Sequence, residues 1–127
     1  MARTKKKSII KSKKQANYIL QRIYRIFIHM SREGDLYFKF SSKMHCFGKV
    51  DWENNDSVGI TIHPDREESL IGTIIHECLH LLYEKAEKGE TEKQFENRIL
   101  QMEREMMYWL SDLQKRNLFI RVARLMK

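Results

Sequence analysis

The chain of 127 residues carries 24 Lys+Arg against 17 Asp+Glu, a net charge of +7 that divides into +10 over residues 1–32, −8 over 33–113 and +5 over 114–127. That length suits one domain with a real core rather than two, and 42% hydrophobic content with two Trp, five Tyr and six Phe excludes a disordered polymer. No apolar run approaches the about 18 residues of a membrane span, the basic start lacks the apolar stretch of a secretory leader, and Cys46 and Cys78 are too few for a disulfide framework, so a reducing, cytoplasmic setting is expected.

Residues 1–13 read as a basic arm, either mobile or continuing the first helix. From Lys14 to Ser31 the apolar residues Ile19, Leu20, Ile23, Ile26, Phe27 and Met30 recur at three- and four-residue spacing, which predicts an amphipathic helix ending before Gly34–Asp35. Three strand-like runs follow: Leu36–Phe40, Cys46–Trp52 and Val58–His63, the last two separated by the turn residues Asn54, Asn55 and Asp56. A small three-stranded antiparallel meander is the simplest arrangement. Asp65 or Ser69 can cap a second helix running to about Lys88, apolar around much of its circumference and therefore central. Thr91 with Gln94 forms a capping-box signature for a third helix over residues 92–113. A last basic helix spans residues 117–126. The expected class is α+β: an N-terminal helix, a three-stranded antiparallel sheet, two antiparallel helices and a short C-terminal helix, organised as arm 1–13, domain 14–113 and basic C-terminal helix 114–127.

The second helix contains His76-Glu77-Cys78-Leu79-His80, an H-E-x-x-H pattern. Residues four apart share a helix face, so His76 and His80 can grip one ion, and imidazole suits Zn²⁺. Glu77, one step round, can take a proton from a water at that ion and later deliver it to a leaving amine. The alternative is two histidines on a packed helix, but the uninterrupted run TIIHECLHLLY keeps both mid-helix. Cys78 falls on the opposite face and reads as core.

The stretch ITIHPDREESLIGTIIHECLHLLY resembles the strand-then-active-helix core of zincin metallopeptidases, and the element order resembles the smallest of them, the minigluzincins and small phage-borne or SprT-like zincin domains. The likeness spans residues 14–113 as architecture, with His76–His80 its only strongly specific part. It implies a zinc-dependent peptidase acting on a peptide or protein substrate, with His76 and His80 as ligands and Glu77 as base and acid. The metzincin extension is absent: position 83 is Tyr83, and no histidine follows His80. The third ligand is then a carboxylate. Glu103 and Glu96 both border the apolar stripe of the third helix. If the second helix runs to Gly89–Glu90, its histidines lie about ten residues before the loop, and the matching level is near residue 100. Side chains lean toward a helix N-terminus, so Glu103 is preferred and Glu96 is the alternative. Either could instead be an exposed glutamate paired with Arg or Lys.

Tyr83 shares the face of His80 and could polarise a substrate carbonyl or simply pack. In zincins the strand before the active helix forms a rim for an extended peptide, which makes Gly59, Ile60, Thr61, Ile62 and His63 candidates for substrate binding by strand addition. The basic ends suit nucleic acid or another polyanion, through Arg3, Lys5, Lys6, Lys7, Lys11, Lys13 and Lys14. A membrane surface or an acidic protein fits that charge equally well. The competing reading is a nucleic-acid-associated or scaffold protein with a latent or structural zinc site and basic tails. Separately, the last helix could complete the cleft of an enzyme or, with Phe119 and Ile120, cover it and hold the enzyme latent. The oligomeric state is not set by the sequence.

Overall fold

The computed structural model describes residues 7–32, 36–40, 48–54, 57–62, 70–85 and 89–125. Its elements in order are α1 Lys13–Arg32, β1 Leu36–Phe40, β2 Gly48–Asn54, β3 Ser57–Ile62, α2 Leu70–Leu82, α3 Glu92–Trp109 and α4 Asp112–Arg124. The α+β class and the first helix match the sequence reading. Ala16, Ile19, Leu20, Ile23, Tyr24 and Phe27 of α1 are all buried, as a stripe of this period requires. Ser12 caps α1, its hydroxyl accepting from Gln15 N at 3.1 Å.

The three strands form a mixed sheet in the order β1-β3-β2, not an antiparallel meander. β2 and β3 pair antiparallel, Val50 opposite Ile60, with an irregularity between Trp52 and Asn54. β1 pairs parallel with β3, Phe38 opposite Ile60. After β1 the chain returns two places away, and β3 then fills the gap. The alternation of LYFKF predicts which side is buried (Leu36 and Phe38 are, Lys39 is exposed), but a period of two carries no information about which strand lies alongside. Gly59 is buried beneath Tyr37; a Cβ there would lie 2.5 Å from the Tyr37 ring, so the close approach needs glycine.

α2 occupies the centre, with Ile74, Ile75, Cys78 and Leu79 fully buried. It packs against α3, β2, β3, α1 and α4. It ends at Leu82, six residues before the expected boundary. α3 begins at the predicted capping box: Thr91 Oγ1 accepts from Gln94 N, and Thr91 N donates to Gln94 Oε1. It stops at Trp109 because Ser111 and Gln114 form a second capping box that starts α4.

The expected appendages belong in part to the core. Leu118 and Val122 of α4 are buried, and Ile10 of the arm is 2% exposed. Leu125 O accepts from Phe38 N at 3.0 Å, tying the end of α4 to β1. Of the proposed polyanion-binding residues, Lys7, Lys11, Lys13 and Lys14 are exposed, while Arg3, Lys5 and Lys6 lie outside the described residues. No helix among the described residues is long and apolar enough to cross a membrane.

Candidate metal centre

His76 and His80 sit one turn apart on α2, ring centroids 5.0 Å apart, and face α3. His76 meets Glu103, His80 meets Glu96, and Lys85 meets Glu92; this descending order makes the two helices antiparallel. Glu96 is the carboxylate that faces both histidines: Oε1 lies 2.5 Å from His76 Nε2 and Oε2 3.2 Å from His80 Nε2. Among the described residues, His76, His80 and Glu96 form the one three-residue group able to share an ion, their donor atoms within 4.8 Å of one another.

The group within reach of one ion thus takes in Glu96, the alternative third ligand, and not the preferred Glu103. Glu103 lies on the other edge of the His76 ring, 2.9 Å from Nδ1. The displacement follows from the early end of α2. With Leu82 rather than Lys88 as its last residue, the histidines lie about one turn from the loop, and the matching level on α3 is Glu96. Three ties hold the chain off the helical path. Arg98 donates from Nε and Nη2 to the Glu90 carboxylate, both at 3.0 Å, and from Nη2 to Glu84 O at 3.0 Å. Arg22 donates to the Tyr83 hydroxyl at 3.2 Å, and Lys85 pairs with Glu92 at 2.9 Å. The Arg98 guanidinium also covers Phe95, whose ring packs at 5.3 Å edge-on to His80. Neither arginine stands out in the sequence: Arg22 acts on Tyr83 in a distant segment, and Arg98 reaches back across the loop to Glu90 and Glu84 in a way no helical spacing signals.

The donor set fits a divalent cation. A carboxylate on Nδ1 fixes an imidazole's tautomer and leaves Nε2 for a metal; Glu103 does this for His76. Three carboxylates, Glu77, Glu96 and Glu103, crowd two imidazoles, an excess of negative charge that a cation relieves. Burial and these neighbouring charges bear on the protonation of each group. Burial drives Glu77 up to about 7; His76 opposes this, and Glu96 and Glu103 add to it. Burial lowers the affinity of His76 for a proton, but the Glu103 hydrogen bond and the charges of Glu77, Glu96 and Glu103 outweigh it and raise its pKa. His80 is lowered, chiefly by burial, against the pull of Glu96. Cys78 is fully buried and its thiol is pushed far up by desolvation, so it is inert core.

Glu77, 4% exposed, lines a cleft of about 390 Å³ with His80, Tyr83, Phe95 and Val50 of β2. Among the described residues none of α4 lines it, and Phe119 and Ile120 are exposed at 37% and 40%. Gly59, Ile60, Thr61 and Ile62 belong to the middle strand, hydrogen-bonded to a neighbour on each side, which closes them to strand addition. His63 lies outside the described residues. The sheet edge that reaches the cleft is β2. A larger cavity of about 620 Å³ lies elsewhere, between residues 7–11 and α3. No family model, curated protein or solved structure matches the chain.

Proposed function

We propose that this chain is a zinc-dependent metallopeptidase. The observation that carries the reading is the convergence of both His Nε2 atoms on Glu96, with Glu77 buried in the adjoining cleft. His76, His80 and Glu96 would hold the ion; three protein ligands leave a position for chemistry, whereas structural zinc is closed by four. Zinc, when bound, supplies Lewis acidity toward a carbonyl oxygen and toward water.

The rest is the work of the chain's own groups. Glu77 accepts a proton from water and returns it to the leaving amine. Burial lifts its carboxyl above the ordinary carboxylate range in the metal-free chain, and a dication held by the neighbouring ligands would favour its ionised, proton-accepting form. Its burial keeps bulk water from competing for that proton. Tyr83 points its hydroxyl to a donor, Arg22, from a place on the cleft wall. A hydroxyl polarised in this way can donate toward a substrate carbonyl. The edge strand β2, carrying Val50 into the cleft, offers its backbone to an extended peptide. Substrate thus lies along β2, not along β3.

The test is elemental analysis of protein purified without chelator, paired with hydrolysis of a quenched fluorescent peptide library. The wild type carries equimolar zinc and cleaves; Glu77→Gln keeps the zinc and loses cleavage. Zinc absent from the wild type overturns the reading, as does undiminished cleavage by Glu77→Gln.

A further inference from the structure

We infer that the cavity between the segment preceding α1 and α3 is a binding site for single-stranded nucleic acid, with Tyr108 as the surface on which a base stacks and Lys7, Lys11 and Arg104 as the phosphate contacts. The cavity, about 620 Å³, lies between the segment preceding α1 and the C-terminal half of α3. It is remote from the metal centre: Tyr108 stands about 18 Å further along α3 than Glu96. The inference stands independently of the peptidase reading.

Its cations are held in place rather than carried on a loose tail. The Glu105 carboxylate accepts from Ile9 N at 3.0 and 3.2 Å and from Ile10 N at 2.9 Å. Gln101 donates to Lys7 O at 2.7 Å, and Trp109 Nε1 donates to Ile10 O at 3.2 Å. With Ile10 buried between them, Lys7 and Lys11 are fixed at one wall of the cavity. Arg104 lines it from α3. Three cations thus face one carboxylate, and that carboxylate is turned to backbone amides.

The aromatic component selects the occupant. Tyr108 is 77% exposed, the most exposed large hydrophobic residue described. Its ring stands edge-on to Trp109 at 5.0 Å, which steadies it while leaving it open to solvent. An exposed ring beside fixed cations matches an unpaired base joined to its phosphates: stacking uses the face, and the lysines and arginine take the backbone. A duplex keeps its bases stacked inside and gains nothing from Tyr108. An acidic protein surface needs the cations but not the ring.

The experiment is fluorescence anisotropy of the full chain with labelled oligo-dT and oligo-rU of roughly 12 nucleotides, an abasic strand of equal length and charge, and phosphatidylserine vesicles. The inference predicts binding to one or both oligonucleotides with a log–log salt slope of about −2 or steeper. Tyr108→Ala weakens that binding roughly five- to a hundredfold, and Tyr108→Phe leaves it near wild type. Replacing Lys7, Lys11 and Arg104 together by Ala flattens the salt slope. Tyr108 is exposed, so its loss does not threaten the fold, and circular dichroism checks this. The inference is overturned if neither oligonucleotide binds at low salt, if the abasic strand binds as tightly, or if Tyr108→Ala equals wild type. Binding to vesicles without oligonucleotide binding likewise overturns it and assigns the surface to a membrane.

Discussion

His76 is held between two glutamates of one helix, Glu103 at 2.9 Å from Nδ1 and Glu96 on Nε2. The two carboxylates lie two turns apart on α3, yet a single ring lies between them. Their roles differ because the ring's nitrogens differ: Glu96 also reaches His80 Nε2 at 3.2 Å, and Glu103 does not.

Zinc affinity separates those roles. If Glu96 is the third ligand, Glu96→Ala is expected to cost more than about a hundredfold in zinc affinity. Glu103→Ala removes only the support on Nδ1 and costs roughly ten- to a hundredfold. Glu103→Gln, whose amide oxygen still accepts from Nδ1, costs less than Glu103→Ala. Chelator competition measures all three. A larger loss in Glu103→Ala than in Glu96→Ala would reverse the assignment.

That ordering depends on where α2 stops, which is also where the sequence is least informative. YEKAEKGE contains no breaker before Gly89, so local propensity extends the helix. The Arg98 and Arg22 contacts end it, and they come from α3 and α1. By contrast, His76, Glu77 and His80 are legible because four-residue spacing on a helix brings them together without help from elsewhere. The α1 stripe and the Thr91 box are local in the same way. Ser111 with Gln114 carried the same capping signature as Thr91 with Gln94, and the apolar residues Leu110 and Leu113 concealed it by prolonging the stripe of α3. The order β1-β3-β2 was not legible, since strand pairing is decided by contacts between distant segments.

The metal-free protein should lose stability as pH rises. Glu77 titrates at about 7 in the fold against an ordinary 4.5. Its protonated form is the one the fold favours, so its contribution is fully present below about pH 4.5 and is lost as pH passes through 7. The size is on the order of 3 kcal/mol. His76, raised, acts in the same direction: its contribution is present below its ordinary value of 6.5 and is lost above its folded one. His80, lowered by burial, opposes with a gain in stability as pH rises. Thermal unfolding in excess chelator should give a lower Tm at pH 8 than at pH 5. Glu77→Gln should narrow that difference, and zinc should raise the Tm at pH 8 by mass action. A chelated wild type equally stable at both values contradicts this account.

Arg98 should matter to the metal although it touches no ligand atom. It binds both ends of the α2–α3 connection and covers Phe95, which packs on His80. Its hydrogen bonds are charge-assisted but partly solvated, so Arg98→Ala is expected to cost about 1–2 kcal/mol of stability. Zinc affinity should fall with it, as His80 and Glu96 lose their common framework. Arg98→Lys keeps the charge but cannot make the paired contact with Glu90, and it should recover only part of the loss. Denaturant melts and chelator competition on the same variants check the coupling; a stability loss with unchanged zinc affinity would separate the loop from the site.

The segment before α1 should behave as a docked strap. Ile9 and Ile10 amides end on Glu105, and Ile10 is buried. Both amides should therefore be slow in hydrogen exchange. Glu105→Ala removes the acceptor for both amides and should bring them to the rate of an open chain. Glu105→Gln, with one acceptor oxygen, should leave Ile10 partly protected. Ile10→Ala carries the core penalty of roughly 2–5 kcal/mol only if the strap opens with the whole fold. If it opens alone, the loss is limited to the strap's own docking energy, and the global melt barely moves. The two outcomes are distinguished by comparing the amide rates with the global unfolding free energy of the same variant. With Trp109 Nε1 and Gln101 bound to the strap as well, and Met106 of the same helix in the central core, the expected result is opening in two steps: the strap first, then the fold.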